Sequence, residues 1–297
     1  MSKKAGAHLA LAGANILYGI TYSIAKSVMP EHLTPFAFAF LRILGACILF
    51  WLLGMMLPVQ KVNKSDVMRL GLASVFGVAL NQSLFLNGLN FTTPIDASII
   101  MTATPILVMV FARLIIREPF TLFKIIGIGF GATGAILLIL NSGEINFGND
   151  NLTGNLMIVV NATSYGLYLV IVKPLLMKYH PVTVMKWIFL AGLIWISPAG
   201  LPEVIKIDWA SLPVNAIYSI LYVIVGVTFL AYLLNNYSLK YVKPITVSIY
   251  IYAQPVIASI VAVIFSHDMI TVVKIISALL VFTGVYFVSY SSSRTGA

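Results

Sequence analysis

Charge is scarce in this sequence. Only 9% of its 297 residues are Asp, Glu, Lys or Arg, whereas 60% are apolar; a soluble domain carries about 25% and about 45–50%. With a mean hydropathy of +1.00, a water-soluble fold would have almost no polar shell, and soluble enzymes are excluded. Cysteine is nearly absent. Cys47 stands alone, which rules out an intrachain disulfide and any cysteine metal centre. The histidines His8, His32, His180 and His267 lie scattered near the ends of apolar runs and form no metal-ligand spacing, so no metal and no cofactor is expected. Acids number 9 against 18 Lys+Arg, and none falls in the middle of an apolar run. Without paired carboxylates or a Ser/His pair inside those runs, the chain is not read as an intramembrane enzyme. A basic excess in a soluble protein would point to nucleic acid; here the basic residues sit in short loops between apolar runs, so the excess reads as topology and no nucleic-acid partner is expected.

What the sequence does have is length of apolar run. A hydrocarbon core about 30 Å thick needs about 20 apolar residues per helix. Ten such runs occur, over roughly 7–27, 35–57, 67–90, 93–115, 121–140, 152–172, 181–200, 212–237, 243–266 and 270–290. They lack the short alternating segments of an outer-membrane barrel. The expected fold is therefore an all-α membrane protein with ten transmembrane helices. Lys3 and Lys4 before the first run mimic a signal peptide, but Asn15, Tyr18 and Tyr22 within the run read as a first helix. With the N-terminus placed in the cytoplasm, the inner loops and ends hold Lys3, Lys4, Lys61, Lys64, Arg69, Arg113, Arg117, Lys124, Lys173, Lys178, Lys186, Lys240, Lys243 and Arg294. The outer side holds Lys26, Lys206 and Lys274, and Arg42 lies within a span. This asymmetry predicts that both termini are cytoplasmic.

The chain repeats itself. Shifted by 150, residues 91–127 lie over 241–277 without a gap, and 11 of 37 positions are identical, including Pro94/Pro244, Ser98/Ser248, Ala103/Ala253, Pro105/Pro255 and Lys124/Lys274. Upstream, a shift of 147 brings Tyr18-Gly19 onto Tyr165-Gly166 and Lys26 onto Lys173. Two repeats are expected, 1–141 and 151–290, joined by the turn-rich segment 141–151. Each holds five helices, an odd number, so the second must insert upside down. Inverted repeats typify secondary transporters, which bind their solute near the midplane where the repeats meet.

The stretch running from Asn90-Phe-Thr-Thr-Pro94 through Thr104-Pro105 to Arg117-Glu118-Pro119, Gly127 and Gly134 resembles the second half of an EamA repeat. Thr34-Pro35 with Phe40-Leu41-Arg42 resembles that family's second-helix signature. The resemblance covers nearly the whole chain, twice, and is to the ten-helix EamA type of the drug/metabolite transporter superfamily. Two loop positions depart from the usual Gly-Glu: Arg117-Glu118 and His267-Asp268. The resemblance implies an exporter of amino acids, other metabolites or drugs.

Polar residues inside the runs need partners or a wet cavity, and here they fall on helical stripes. The first helix carries Asn15, Tyr18 and Tyr22, and the sixth carries Asn161, Ser164, Tyr165 and Tyr168. The third carries Asn81 and Gln82 with Phe85 one turn on, and the eighth Thr228, Tyr232 and Asn235. The fourth presents Ser98, Met101 and Thr102, and the ninth Ser248, Tyr252 and Gln254. These stripes read either as the wall of a central cavity with aromatic and amide lining or as hydrogen-bonded glue between helices. Pro105 and Pro255 read as hinges, as cavity lining or as static kinks. Arg42 lies roughly 10 Å below Pro35 at about 1.5 Å per residue. It is expected to pair with Asp96, to face a vestibule and greet an anionic group, or to snorkel. Gly127-x-x-x-Gly131 with Gly134 makes the fifth helix a close-packing surface, within the fold or in a dimer.

The expected function is secondary transport. The protein would move small metabolites, amino acids or related amphiphilic solutes, across the plasma membrane (a bacterial inner membrane) by alternating access, as an exporter or facilitated exchanger. The missing mid-span carboxylate argues against a proton relay. The alternative is a multidrug or cationic-compound efflux transporter. Expected partners are the solute and the lipid bilayer, with the protein a monomer or weak homodimer.

Overall fold

A computed structural model of the chain describes residues 2–92, 94–140, 149–257 and 271–294. Among them all regular structure is helical. Helix α1 spans Lys3–Val28, α2 Pro35–Met55, α3 Lys64–Phe91, and α4 the two segments Pro94–Met101 and Thr104–Ile115. Helix α5 spans Leu122–Leu140, α6 Asn149–Lys178, α7 Pro181–Ile205, α8 Val214–Tyr241, α9 Pro244–Ile257 and α10 Val272–Arg294. Each helix lies on one of the apolar runs. Five of the described helices, α2, α3, α6 (from Leu152), α7 and α8, are long and apolar enough to cross a bilayer; apolar stretches of α4, α5, α9 and α10 are shorter.

Local chemistry sets the helix ends. Ser2 and Thr34 act as N-caps, each accepting a backbone N–H three residues on, and Pro35, Pro181 and Pro244 open their helices. At these positions the missing proline N–H costs nothing. The prolines at 105 and 255 act differently from a smooth kink. Helix α4 breaks at Thr102–Ala103, and α9 tightens to a 3-10 turn at Tyr250–Tyr252. A proline gives no N–H to the carbonyl four residues back, which here belongs to Met101 and to Ile251.

Apolar side chains cover the outside of the bundle as well as filling its core. Leu156, Ile194, Leu279 and Phe282 are exposed on the outside of the bundle, while Asn15, Arg42, Gln82 and Asn161 are buried inside it. The packing follows the repeat. Helix α1 packs on α8 as α6 packs on α3, and α2 packs on α7, α4 on α9 and α5 on α10. Gly127 and Gly284 let α5 and α10 touch through their backbones; a Cβ on Gly284 would lie 2.5 Å from the Gly127 carbonyl oxygen. The glycines of α5 thus pack within the fold, with Gly131 against the ring of Tyr252 and Gly134 against α10.

The duplication extends to hydrogen bonds. Lys26, at the end of α1, donates from Nζ to the carbonyls of Leu89, Asn90 and Thr92 at 2.8, 2.9 and 3.1 Å. Lys173, its equivalent in α6, donates to the carbonyls of Leu239, Lys240 and Val242 at 2.6, 3.2 and 2.9 Å. The acceptors differ by 150 in number in every case. Both lysines satisfy carbonyls that a helix C-terminus leaves open, one tying α1 to α3 and the other α6 to α8.

Candidate functional site

Between the two repeats lies a partly open cavity of about 70 Å³. Helix α1 gives it Asn15, Tyr18, Thr21 and Tyr22; α2 gives Arg42; α3 gives Asn81, Gln82 and Phe85; and α4 gives Met101. From the second repeat come Asn161 and Tyr165 of α6, Val227, Tyr232 and Asn235 of α8, and Val247, Ile251 and Gln254 of α9. Among the described residues none of the lining comes from α5, α7 or α10. The wall carries aromatic and amide side chains, and Met101 and Ile251, four residues before the two prolines, both face it.

Some of the lining is held rigid. Gln254 spans two residues of the α1 stripe: its Nε2 donates to Asn15 Oδ1 at 2.9 Å, and its Oε1 accepts from the Tyr22 hydroxyl at 2.9 Å. Asn15 also donates to the Leu11 carbonyl at 2.9 Å. The Tyr232 hydroxyl lies 2.9 Å from the Gly77 carbonyl and 3.1 Å from Asn81 Oδ1. Asn161 donates to the Asn81 carbonyl at 2.6 Å, and Asn235 donates to the Tyr165 hydroxyl. Tyr22 meets Phe85 edge to face at 5.5 Å, and Tyr18 meets Tyr232 at 6.4 Å.

Other atoms of the lining have no protein partner. Both amide atoms of Gln82, the Oδ1 atoms of Asn161 and Asn235, and Nη1 of Arg42 are buried and unpaired. Leaving a buried polar atom unpaired costs about 1–3 kcal/mol. Such atoms gathered round one cavity therefore mark a place where a solute or water supplies the missing partners.

Arg42 does not snorkel. It is 4% exposed, and its Nε donates to Thr228 Oγ1 at 2.9 Å; that hydroxyl in turn donates to the Val223 carbonyl at 2.8 Å. The carbonyl lies five residues back because α8 is π-helical over Tyr222–Ala231. Among the described residues the ion pairs join Lys124 to Glu118, Lys178 to Asp66 and Lys206 to Glu203; none involves Arg42. The expected partner Asp96 has its side chain outside the described residues.

Five of the expected binding residues are not in the lining. Tyr168 is buried behind it, its hydroxyl donating to Asn236 Oδ1 at 2.7 Å and its ring packed on Gly77. Tyr252 is fully buried against Gly131. Ser248 turns back to the Ile245 carbonyl at 3.0 Å. Ser98 and Thr102 are buried on α4. Pro105 and Pro255 are buried and break their helices without themselves facing the cavity. Conversely, Thr21, Val227, Val247 and Ile251 escaped the sequence reading. Thr21 sits one turn beyond Tyr18, and Ile251 is the repeat partner of Met101, so those two carried a signal; the valines did not.

A helical bundle with apolar outer faces, two repeats and a central cavity lined by aromatic, amide and apolar side chains has the form of a membrane transporter. The sequence profile of the EamA-like transporter family matches residues 5–140 and again 152–290, and the chain belongs to that family. It is 23% identical over 283 residues to the Bacillus subtilis protein described as uncharacterized transporter YyaM, covering 94% of this chain and 92% of that one. An Archaeoglobus fulgidus uncharacterized transporter is 26% identical over 272 residues, covering 91% of this chain and 94% of that one. A solved crystal structure superposes with a TM-score of 0.77 at 17% identity, covering 99% of both chains, which shows a shared fold.

Proposed function

We propose that this transporter moves small amphiphilic metabolites, of the amino-acid type, across the plasma membrane by alternating access through the central cavity. It works as an exporter or a facilitated exchanger. The ten helices each cross the bilayer, the repeats are threaded in opposite senses, and both termini lie in the cytoplasm. The observation that carries this reading is the cavity itself, closed in by both repeats and lined by aromatic rings and unpaired amides. Its lining suits a solute with an apolar body and a polar end.

The two repeats supply the device. An inverted pair can open its cavity to one side by the movement that closes it to the other. The breaks in α4 and α9 supply places where the helices give. No Asp or Glu falls in the middle of an apolar run, which supports solute exchange without a proton gradient. The test is counterflow. Purified protein in liposomes preloaded with a mixture of unlabelled amino acids is given trace labelled amino acids, with no proton gradient. Accumulation above protein-free liposomes is expected, and its loss in Tyr18→Ala. Absence of counterflow with the amino-acid mixture, together with uptake of cationic dyes, would refute the amino-acid assignment in favour of drug efflux.

A further inference from the structure

We propose that Arg42 is an anion subsite: the cavity takes a solute bearing a carboxylate, and the guanidinium selects that solute over its uncharged-acid and cationic analogues. The inference rests on the transport reading above and adds the charge of the cargo. Arg42 sits in the cavity wall, 4% exposed, anchored by one N–H through Nε to the hydroxyl of Thr228. Thr228 donates its own O–H to the Val223 carbonyl, so its oxygen is oriented to accept. This fixes the guanidinium at one edge and leaves Nη1 without a protein partner. A buried guanidinium without a counter-charge is costly, and the cavity around it offers phenols and amides but no carboxylate among the described residues. A planar fork of N–H donors matches a carboxylate in two parallel hydrogen bonds. One guanidinium, with no lysine in the lining among the described residues, balances a single negative charge, which fits a carboxylate rather than a phosphate dianion.

The rest of the lining complements such a solute. The unpaired carbonyl oxygens of Asn161 and Asn235 can accept from an ammonium or other N–H donor on the cargo. Phe85, Met101, Val247 and Ile251 supply apolar wall. A cation would meet those oxygens as well, but it would also meet Arg42, and like charges in a partly dry site repel.

The test uses the full chain in lipid nanodiscs and three matched probe mixtures. The first holds leucine, methionine, phenylalanine, threonine and glutamine; the second holds their carboxamides; the third holds the amines that lack the carboxyl group. Binding is read as the concentration that half-saturates the rise in unfolding midpoint. The wild type should prefer the acids at least tenfold over both other mixtures. Arg42→Gln should abolish the preference, and Arg42→Lys should keep part of it. The wild-type preference alone decides the matter if Arg42→Gln fails to fold. Asp96→Asn controls for an internal counter-ion. Preference that survives it supports a guanidinium awaiting its cargo, and preference lost as in Arg42→Gln assigns the charge to an Arg42–Asp96 pair and overturns the proposal. Equal binding of acids and amines overturns the anion subsite and leaves the transport reading standing. No response to any mixture overturns both.

Discussion

The lysine ties give the sharpest test of alternating access, because one perturbation applied at equivalent places should have opposite results. Lys26 holds three carbonyls at the end of α3, and Lys173 holds the three equivalent carbonyls at the end of α8. On the proposed topology Lys26 lies toward the outside and Lys173 toward the cytoplasm. A hydrogen bond to a charged group contributes about 1.5–3 kcal/mol net. When an end opens, its carbonyls regain water, so the three bonds do not add. Taking one bond's worth, Lys→Met removes about 2 kcal/mol from the closed form of that end, about a 30-fold shift in population. The assay starts from Cys47→Ser, which removes the single cysteine, with Phe85→Cys placed in the cavity wall. Labelling by a membrane-impermeant maleimide is then timed in right-side-out and inside-out vesicles. Lys26→Met should raise the ratio of outside to inside labelling and Lys173→Met should lower it. Shifts of the same sign in both, or no shift in either, would refute the idea that the ties latch opposite ends.

Further predictions concern packing and polarity. Gly77→Ala places a Cβ 2.1 Å from the ring of Tyr168, itself 1% exposed; overpacking of this kind costs about 1–3 kcal/mol, and a thermal scan should show the loss and its partial recovery with Tyr168→Leu added. Gln254→Leu strands Asn15 Oδ1 and the Tyr22 hydroxyl, so unfolding should ease by about 1–3 kcal/mol and labelling of the cavity cysteine should change. Glu118→Gln leaves Lys124, 1% exposed and 2.6 Å from its partner, as a buried charge without a counter-ion; the loss should be about 3–5 kcal/mol, reduced when Lys124→Met is added, and equal losses in single and double variants would defeat the argument. His180 caps α7 by accepting from the Val182 N–H, and burial, with the Lys240 charge, holds its pKa below the ordinary value. The unfolded imidazole therefore takes up its proton first as pH falls, and the cap's contribution fades as pH drops through the ordinary histidine pKa of 6.5 and below it; in His180→Asn the unfolding midpoint should lose that part of its pH dependence.

How far the site could be read in advance depended on what each residue is paired with. Helical periodicity brought Asn15, Tyr18 and Tyr22 to one face, and they do line the cavity. Tyr165 and Tyr168 sit on the same stripe of α6 yet part company: Tyr165 faces the cavity, while Tyr168 is drawn behind it by the space above Gly77 and by Asn236. A stripe spans a wide arc, and which part of the arc is wet is decided by the facing helix. Tyr252 is removed in the same way by Gly131. Small residues opposite aromatic ones are the missing signal, and they cannot be paired without knowing which helices touch. The ten apolar runs were legible because each is a local property; the break in α4 was not, because a proline inside a long apolar run is as consistent with a kink as with two segments.

The irregular backbone and the cavity have one cause. A helix facing lipid must satisfy every peptide group within itself, so departures from it belong where polar partners are at hand. The π-helical stretch of α8 at Tyr222–Ala231 gives Val227 to the cavity, and the interruptions of α4 and α9 lie beside Met101 and Ile251 of its lining; that of α3 at Val75–Ala79 just precedes Asn81 and Gln82. Their released groups are used: the Gly77 carbonyl meets the Tyr232 hydroxyl, and the Val223 carbonyl accepts from the Thr228 hydroxyl and so orients the oxygen that holds Arg42. Among the described residues the guanidinium thus stands in a fixed place with no carboxylate against it, its orientation supplied by a π-helical turn of α8. Straightening that turn should therefore disturb binding as much as losing Arg42 itself. Thr228→Val, which keeps the shape and removes the hydroxyl, is the direct check: it should weaken acid binding while leaving the fold intact, and unchanged binding would show that the π-helical turn has no part in placing the charge.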